Sequence, residues 1–441
     1  MAEYKRPTNE QEFEANFKQK KPLMNDTEAY YESSRCLYCY DAPCITACPT
    51  GIDIPLFIKQ INTKNTIGSA KTIYASNWLG NACGTVCPTG VLCEGACVYN
   101  HQNVPPIQIG RLQNYATRHA MDNNVSLFKA SNKNNKKIAI IGAGPAGIAC
   151  ACELRMLGYE VVIFEAKDKP SGLTVYGVAP YKITNEEALE EITYLQKQLN
   201  FNIKYNHSIT TKEQVAKLED AYDAIFVGIG LGATNFLNLE GEAKENVTGA
   251  VEFIEDLRMK HHTTKVGKKV VVIGGGNTAM DAASEAARMG ASEVFLVYRR
   301  SKNEKGAYEF EYDLAKSAGV QGFFNATPIA ITGNRCATGV TFKKTATVNG
   351  RLEEVEGSEF TIDCDMVIKA TGQSKKVKLL GMMGIELDHK NKIVVNSETF
   401  QTKKPQYFAG GDAVNGGAEV VNAAYNGKMA ALGIDKWLTN K

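Results

Sequence analysis

The stretch 137–166, "KIAIIGAGPAGIACACELRMLGYEVVIFEA", decides the fold of this chain. An apolar run leads into a glycine-rich turn, a helical pattern follows, and a second apolar run ends in an acid. This order predicts a strand, a turn, a helix and a second strand. The stretch 268–300, "KKVVVIGGGNTAMDAASEAARMGASEVFLVYRR", repeats the order about 130 residues later. Two such βαβ units predict a parallel-sheet α/β protein from residue 137 onwards.

The first turn follows the pattern G-x-G-x-x-G, spelled by Gly142, Gly144 and Gly147. Glycines at this spacing permit the tight turn, let a pyrophosphate approach the backbone, and let helix and strand pack closely. The pyrophosphate then lies at the helix N-terminus, where free N–H groups and the dipole favour anions. Glu165 ends the second strand, where a carboxylate can bond a ribose hydroxyl. The first unit therefore predicts a dinucleotide site, with a glycine turn that binds no ligand as the alternative.

The second turn has the accepted variant G-x-G-x-x-A. Asn277 and Thr278 are expected to cap its helix and reach the phosphates. Arg299 and Arg300 end the next strand, where arginine can hold the 2′-phosphate of NADPH or stack on the adenine of NADH. A strand-end turn at 370–372 is expected to close over this nucleotide. The predicted NAD(P) residues are Gly274, Gly275, Gly276, Asn277, Thr278, Arg299, Arg300, Ala370, Thr371 and Gly372.

Near the C-terminal end, "QYFAGGDAVNGGAEVVNAAYNGKMAA" (406–431) predicts a strand, the pair Gly411-Asp412 and a helix. An early G-x-G-x-x-G paired with a late Gly-Asp resembles the flavoprotein families that bind two dinucleotides. This resemblance implies FAD in the first site, with the second unit inserted into a discontinuous FAD-binding domain. The expected FAD residues are Gly142, Ala143, Gly144, Pro145, Ala146, Gly147, Glu165, Gly172, Leu173, Ile209, Gly411, Asp412, Ala418, Glu419 and Val420.

Eight of the twelve cysteines lie between Cys36 and Cys97. In a reducing compartment, such a dense set indicates metal binding rather than disulfides. The first four follow C-x2-C-x4-C-x3-C-P, which is close to the ferredoxin run whose fourth cysteine ligates a second cluster. The second four are Cys83, Cys87, Cys93 and Cys97, so the set predicts two iron–sulfur clusters. Zinc is the main alternative, although structural zinc sites favour paired two-cysteine knuckles.

Three further stretches carry a resemblance to a known enzyme family. They are "SRCLYCYDAPCITACPTGIDIPLFI" (34–58), "CGTVCPTGVLCEGAC" (83–97) and "PPIQIGRLQNYAT" (105–117). Together with the first βαβ unit, they resemble the N-terminal half of dihydropyrimidine dehydrogenase, over about residues 30–441. The resemblance implies that Cys83 is not a ligand. It implies two [4Fe-4S] clusters, one bound by Cys36, Cys39, Cys44 and Cys97, and the other by Cys48, Cys87, Cys93 and Gln113.

The resemblance also places Lys182 near the flavin, where the related fused enzyme has arginine. Gly306 stands where the NADPH-using fused enzyme has another arginine, which weakens the case for NADPH. The bacterial small-subunit relatives are associated with NADH. The sequence therefore favours NADH slightly and leaves NADPH open.

The predicted fold class is α/β, with an N-terminal α-helical iron–sulfur domain followed by two nested Rossmann-like dinucleotide-binding domains. A helix is expected from about Gln108 to Met121 within the first domain. The predicted domains are an α-helical domain with two clusters (1–136), the first segment of the FAD-binding domain (137–235), the NAD(P)-binding domain (236–372) and the second segment of the FAD-binding domain (373–441).

The predicted activity is that of an NAD(P)H-dependent flavin and iron–sulfur oxidoreductase. The resemblance implies an electron-input subunit whose partner is an FMN and iron–sulfur subunit that reduces uracil or thymine, expected as a heterotetramer. The alternatives are the small subunit of glutamate synthase and an NAD(P)H:ferredoxin-type oxidoreductase. The spacing from Cys87 to Cys97 and the presence of Gln113 favour the pyrimidine interpretation. A zinc-stabilised scaffold that binds nucleotide without redox chemistry is a third hypothesis.

Composition excludes other classes of function. The net charge is +2, so no strong field favours nucleic acid or an anionic membrane. No apolar stretch approaches the roughly 18 residues of a membrane span. The polar start of the chain lacks the apolar core of a signal peptide, so a cytoplasmic location is expected.

Overall fold

A computed structural model describes residues 4–440 of the chain. Its helices are α1 (Glu10–Asn16), α2 (Asp26–Ser34), α3 (Pro43–Ala47), α4 (Ile54–Asn62), α5 (Thr66–Ser76), α6 (Gly80–Val86), α7 (Ile109–Asp122), α8 (Pro145–Met156), α9 (Leu173–Tyr176), α10 (Asn185–Leu199), α11 (Lys212–Ala221), α12 (Ala250–Lys260), α13 (Asn277–Arg288), α14 (Glu309–Ser317), α15 (Val377–Met382), α16 (Asp412–Asn415) and α17 (Val420–Thr439).

Its strands are β1 (Lys137–Ile141), β2 (Glu160–Phe164), β3 (Asn202–Lys204), β4 (Ala224–Val227), β5 (Val247–Gly249), β6 (Lys269–Ile273), β7 (Glu293–Tyr298), β8 (Gln321–Phe324), β9 (Ala326–Thr332), β10 (Gly339–Val348), β11 (Arg351–Glu354), β12 (Phe360–Asp363), β13 (Met366–Lys369) and β14 (Tyr407–Ala409).

The described chain forms two compact units. The main unit contains Gln19–Val175, Lys182–Leu231 and the described residues from Lys375 onwards. The inserted unit contains Tyr176–Tyr181, Gly232–Ser374 and the described residues up to Lys18.

The sheet of the main unit has the strand order β14-β4-β1-β2-β3, and all neighbours are parallel. The central strands β1 and β4 and the edge strand β14 are apolar and mostly buried, as expected where helices cover both faces of a parallel sheet. β14 comes from the end of the chain and pairs with β4, so this domain is discontinuous in sequence, as predicted. The carboxyl ends of β1, β4 and β14 therefore meet at one edge of the sheet, where ligands bind in folds of this class.

The inserted unit has a second parallel sheet, in the order β5-β13-β6-β7-β8. An antiparallel sheet of β9, β10, β11 and β12 accompanies it. Alanines of α13 pack into the core beside Val270, Val272 and Leu296. Two nested parallel-sheet domains thus follow the helical N-terminal region, which confirms the predicted fold class.

Helix α1 packs in a different unit from the one that the predicted domain bounds gave it. Phe13 and Phe17 of the N-terminal segment are buried beside Leu257 and Met289 of the inserted unit. Two apolar side chains one helical turn apart gain more by burial there than by exposure in a polar segment. The described residues up to Lys18 therefore belong with the inserted unit, although the prediction placed them in the 1–136 domain.

Helices α2 to α7 of the main unit surround the cysteines. Ile54, Phe57, Ile58 and Ile61 of α4 are buried at helical spacing and form a core that includes Cys97. Helix α7 spans Ile109–Asp122, within one residue of the predicted bounds. Within residues 4–440, no helix has both the length and the apolarity that are needed to cross a bilayer.

Candidate functional site

The first glycine-rich turn connects β1 to α8. Gly142 has φ +103°, and a Cβ there would lie 2.4 Å from the carbonyl oxygen of Gly228. A Cβ on Gly147 would lie 1.9 Å from the carbonyl oxygen of Gly142. A Cβ on Gly144, in contrast, would meet no atom closer than Cα of Gly172, at 3.9 Å. The backbone itself therefore requires the outer two glycines, and the middle one borders open space where a ligand can approach.

The N-terminus of α8 is arranged to bind an anion. Gly144 is its N-cap residue and has no side chain to bond the first N–H groups, and Pro145 begins the helix. Glu165 accepts a hydrogen bond from the N–H of Ala143 at 2.7 Å, which holds its carboxylate beside the turn. The N–H of Ser171 donates to the carbonyl of Ala143 at 2.7 Å, so the loop that contains Gly172 and Leu173 packs over the same turn.

The late Gly-Asp pair lies at the same edge of the sheet. Gly411 has φ +73°, and its N–H donates to the side chain of Asn426. Asp412 accepts from the N–H of Ala418 at 3.2 Å, and burial raises its pKa. A Cβ on Gly427 would lie 2.0 Å from the carbonyl oxygen of Ala146, so α17 crosses α8 in close contact. The predicted FAD residues of the two chain segments are thus brought together.

The remaining predicted FAD residues have different environments. Ile209 is buried in the core with Ile141 and Phe164, behind the turn. Lys182 is half-buried and lies three residues before α10.

Two lysines outside the predicted set of FAD residues also lie in this region. Lys375 is close enough to Asp412 to lower the pKa of that carboxyl, and Lys376 interacts with Glu165. They closely follow the predicted turn at 370–372. A pair of adjacent cations just after a predicted nucleotide-binding turn is the feature of the sequence that could have indicated their position. Cations, a free helix N-terminus and an open glycine fit a dinucleotide pyrophosphate.

The second glycine-rich turn connects β6 to α13. A Cβ on Gly274 would lie 2.5 Å from the carbonyl oxygen of Ala370, so the 370–372 turn lies against it. The hydroxyl of Thr371 donates to the carbonyl of Asn235 at 2.8 Å and fixes that turn. Gly276, the N-cap residue of α13, leaves the helix N-terminus without a side-chain cap, which fits the phosphates of NAD(P).

Asn277 does not cap α13, contrary to the prediction. It is the first residue of the helix, and its side chain accepts from the N–H of Tyr308 at 3.0 Å. It therefore holds the loop that contains Gly306. The N–H of Ala307 donates to the carbonyl of Gly275 at 3.0 Å, which places this loop beside the turn.

Arg299 and Arg300 have exposed side chains and anchored backbones. Their carbonyls accept from the hydroxyl of Thr345 at 2.6 Å and from the N–H of Asn325 at 3.0 Å. Both guanidinium groups are therefore accessible to a nucleotide.

Four thiols surround one apolar cavity. Cys36, Cys39, Cys44 and Cys97 line it with Ile54 and Ile58. Burial raises the pKa of Cys44 to about 12, and the neighbouring Cys36, Cys97 and Cys39 contribute to the shift. Such thiols become thiolates only when a metal replaces the proton. The structure thus brings together the four cysteines of the first predicted cluster.

A second group of thiols consists of Cys48, Cys87 and Cys93. Burial, and then the charges of Glu94, Cys87 and Cys48, raise the pKa of Cys93. Cys83 lies one helical turn before Cys87, and the hydrogen bond between their thiols raises the pKa of Cys87. Cys48 therefore lies with the second group, although it is the next cysteine after Cys44 in the motif.

Gln113 of α7 is buried, and its amide N–H₂ donates to the carbonyl of Gly80 at 2.7 Å. This bond uses the nitrogen of the amide and leaves the oxygen as the possible ligand. Cys83, whose thiol bonds that of Cys87, and Gln113, whose amide bonds the first turn of α6, are the two candidates for the fourth ligand of the second group.

Zinc and a [4Fe-4S] cluster differ in how their ligands are arranged. The ligands of a structural zinc ion converge on one point, whereas each thiolate of a cubane cluster binds a different iron. Among the described residues, no three His, Cys, Asp or Glu side chains converge on one point. The match to a 4Fe-4S family, given below, assigns iron–sulfur clusters to this region.

Family models and known proteins agree with this geometry. Residues 136–427 match the pyridine nucleotide-disulphide oxidoreductase family, and residues 13–125 match dihydropyrimidine dehydrogenase domain II, 4Fe-4S cluster. The NAD-dependent dihydropyrimidine dehydrogenase subunit PreT of Escherichia coli (strain K12) is 33% identical over 417 residues, which cover 95% of this chain and 96% of that protein.

The glutamate synthase [NADPH] small chain of the same organism is 32% identical, over 94% of this chain and 92% of that protein. FprA of Mycobacterium tuberculosis in complex with NADPH shares the fold, with a TM-score of 0.57 and 18% identity over 69% of this chain and 85% of that one. The chain therefore belongs to the pyridine nucleotide-disulphide oxidoreductase family, as an oxidoreductase whose cofactors are FAD, NAD(P)H and 4Fe-4S clusters.

Proposed function

We propose that this chain is the electron-input subunit of a cytoplasmic dihydropyrimidine dehydrogenase. It takes electrons from NADH and delivers them to a partner subunit that reduces uracil or thymine at its own FMN. The relatives named PreT support this assignment because they match nearly the whole length of the chain. The spacing of Cys87, Cys93 and Cys97 and the buried Gln113 also favour it over glutamate synthase.

The observation that carries the proposal is the position of Cys87 close to Glu419, which is one of the predicted FAD residues. Glu419, at the N-terminus of α17, is close enough to raise the pKa of Cys87. Helix α17 crosses α8, the helix of the predicted FAD turn. The second thiol group therefore lies next to the predicted flavin site, and Cys48 connects it along the chain to the first group.

When bound, FAD supplies hydride acceptance from NAD(P)H and one-electron transfer to the clusters. The protein residues provide binding and orientation. The N-terminus of α8 binds the pyrophosphate, and Glu165 bonds the ribose. Asp412 accepts from the N–H of Ala418 and so fixes the loop that leads into α17. Arg299 and Arg300 bind the adenosine end of the nicotinamide cofactor. The proposed cluster ligands are Cys36, Cys39, Cys44 and Cys97 for the first cluster, and Cys48, Cys87, Cys93 and Gln113 for the second.

The face next to the first thiol group suits a protein partner. Leu37 and Tyr40, which flank Cys39, are 54% and 103% exposed, and Leu56 is 43% exposed. Large apolar side chains grouped at the surface indicate a protein contact. We place the partner subunit on this face, where electrons leave the chain.

The purified single chain is expected to reduce an artificial dye with NADH and to leave uracil unchanged, because it supplies electron input alone. Adding the purified partner subunit should produce dihydrouracil, measured by chromatography, at the expense of NADH. Uracil reduction by the single chain would contradict the subunit assignment. Glutamate formation with a glutamate synthase large subunit, without dihydrouracil in the first assay, would support the alternative.

Gly306→Arg is expected to increase the preference for NADPH. A Cβ there would lie 3.9 Å from the carbonyl oxygen of Gly275, so the loop has room for a side chain beside the turn. An arginine can pair with the 2′-phosphate, and hydrogen bonds to charged groups contribute about 1.5–3 kcal/mol, or roughly tenfold or more. The measurement is the ratio of kcat/KM for NADPH and NADH in dye reduction.

Gly306→Gln provides a matched control, since it adds a long polar side chain without a charge. An unchanged cofactor ratio in Gly306→Arg would show that this loop does not contact the 2′ position.

A further inference from the structure

Glu191 is a buried acid on α10 that belongs to none of the sites described above. It has 0% exposure, whereas Glu186 and Glu190 of the same helix are exposed. A carboxylate without access to water requires hydrogen-bond partners, because burying an unpaired charge is costly. The partners of Glu191 therefore reveal its role.

These partners lie on the cysteine-bearing region of the main unit. One carboxylate oxygen accepts from the N–H of Asn81 at 2.6 Å and from the hydroxyl of Tyr74 at 3.1 Å. The other accepts from the N–H of Ala82 at 2.9 Å. Both N–H groups belong to the first turn of α6, whose N-cap residue, Leu79, has an apolar side chain that cannot accept a bond. Glu191 thus caps α6 from the nucleotide-binding region of the unit.

Helix α6 positions two groups of the second cluster site. Cys87 is its C-cap residue, and the carbonyl of Gly80 in its first turn accepts from the amide of Gln113. A Cβ on Gly84 would lie 2.9 Å from the carbonyl oxygen of Gly110, so α6 packs directly on α7. A displacement of α6 would therefore move both Cys87 and Gln113.

We propose that Glu191 is a positioning residue that sets the reduction potential of the cluster at Cys48, Cys87 and Cys93; this inference rests on the ligand assignment in the proposed function. Its carboxylate offsets the positive end of the α6 dipole. Without it, that positive end would favour the added electron, because the potential of a cluster depends on nearby charge and hydrogen bonds.

Glu191→Gln tests the proposal with a side chain of the same size. The amide has one acceptor oxygen, and its N–H₂ group must face the N–H of either Asn81 or Ala82. A redox titration at pH 8, monitored by electron paramagnetic resonance, should show a higher reduction potential for the second cluster than in the wild-type protein. We expect at least a tenfold change in its reduction equilibrium, which corresponds to about 59 mV for one electron. The cluster at Cys36 should keep its potential.

Glu186→Gln is the matched control, because it makes the same substitution at an exposed position of the same helix. Both potentials should remain at the wild-type values in this variant. A lower melting temperature of Glu191→Gln with both potentials unchanged would reduce Glu191 to a structural role and overturn the proposal. Equal shifts of both clusters would also overturn it.

The wild-type protein offers a measurement that does not depend on a variant folding. The groups that face Glu191 are Tyr74 of α5, Arg118 of α7 and Cys152 of α8, and Tyr194 of α10 lies beside Tyr74. Burial raises the pKa of Tyr74, Cys152 and Tyr194 further above neutrality, so these groups stay neutral. Burial raises the pKa of Glu191 to about 7.

The carboxylate therefore forms as the pH rises from about 6 to 8. The potential of the second cluster should fall over this range, and that of the first should stay constant. A flat profile for both clusters would overturn the proposal. Absence of uracil reduction with the partner would contradict the proposed function and leave these potentials unaffected, so the two failures are distinguishable.

Discussion

Replacing Cys48 with Ser is expected to remove one iron–sulfur cluster and leave the other in place. Cys48 follows Cys44 by four residues, yet its thiol lies with Cys87 and Cys93. The cavity lined by Cys36, Cys39, Cys44 and Cys97 does not include it. Roughly half of the iron and sulfide should be lost, because a serine oxygen is a poor replacement for a thiolate at iron. Elemental analysis and electron paramagnetic resonance measure the loss.

The same variant should separate the two halves of the electron path. FAD binding and dye reduction by NADH should persist, because the nucleotide sites do not include Cys48. Uracil reduction with the partner subunit should fall to background, since electrons must pass the second cluster. Loss of the whole iron content, or a loss confined to the signal of the Cys36 group, would contradict this partition of the thiols.

Cys83→Ser is the control for Cys48→Ser, and it also tests the fourth ligand. Cys83 is buried one turn before Cys87, and the resemblance assigns it no iron. Full iron content in Cys83→Ser, together with cluster loss in Gln113→Ala, would support the amide ligand. The opposite pair of results would assign Cys83 to the cluster and exclude Gln113.

The features of the fold that were predictable are those encoded by local spacing. The glycines at 142, 144 and 147 predicted the turn between β1 and α8 because only a tight backbone approach needs this pattern. The late Gly-Asp pair implied the discontinuous domain through its resemblance to flavoproteins that bind two dinucleotides, and β14 indeed pairs with β4. The helix at 109–122, which follows the Pro-Pro pair at 105–106, was predicted within one residue at each end.

The features that could not be predicted depend on contacts between distant segments. The bonds from Asn81 and Ala82 to Glu191 span about 110 residues, and nothing in "ALEEITYL" (188–195) distinguishes the buried glutamate from its exposed neighbours. The packing of Phe13 on the inserted unit likewise has no local signal. Asn277 was expected to cap α13, but Tyr308 takes its side chain. The hydrogen-bond partner of a buried polar side chain thus depends on which distant segment the fold places beside it.

Gly144→Ala is expected to abolish FAD binding without destabilising the protein that lacks FAD. The backbone of Gly144 has φ −73° and ψ 179°, which alanine adopts without strain. Its Cβ would meet no protein atom closer than 3.9 Å, so it would occupy the open space beside the turn. That space is where the pyrophosphate should approach the backbone. The FAD content, measured by absorbance, and the NADH–dye activity should both be lost.

Two further glycines make this experiment decisive. Gly147→Ala would place a Cβ 1.9 Å from a backbone oxygen, so it should lower the melting temperature of the FAD-free protein, which Gly144→Ala should leave unchanged. Gly381 of α15 has no atom within 4 Å of an added Cβ, so Gly381→Ala should retain FAD and gain up to about 1 kcal/mol of stability from helix propensity. Full FAD content in Gly144→Ala would place the pyrophosphate elsewhere and remove the basis for assigning FAD to this turn.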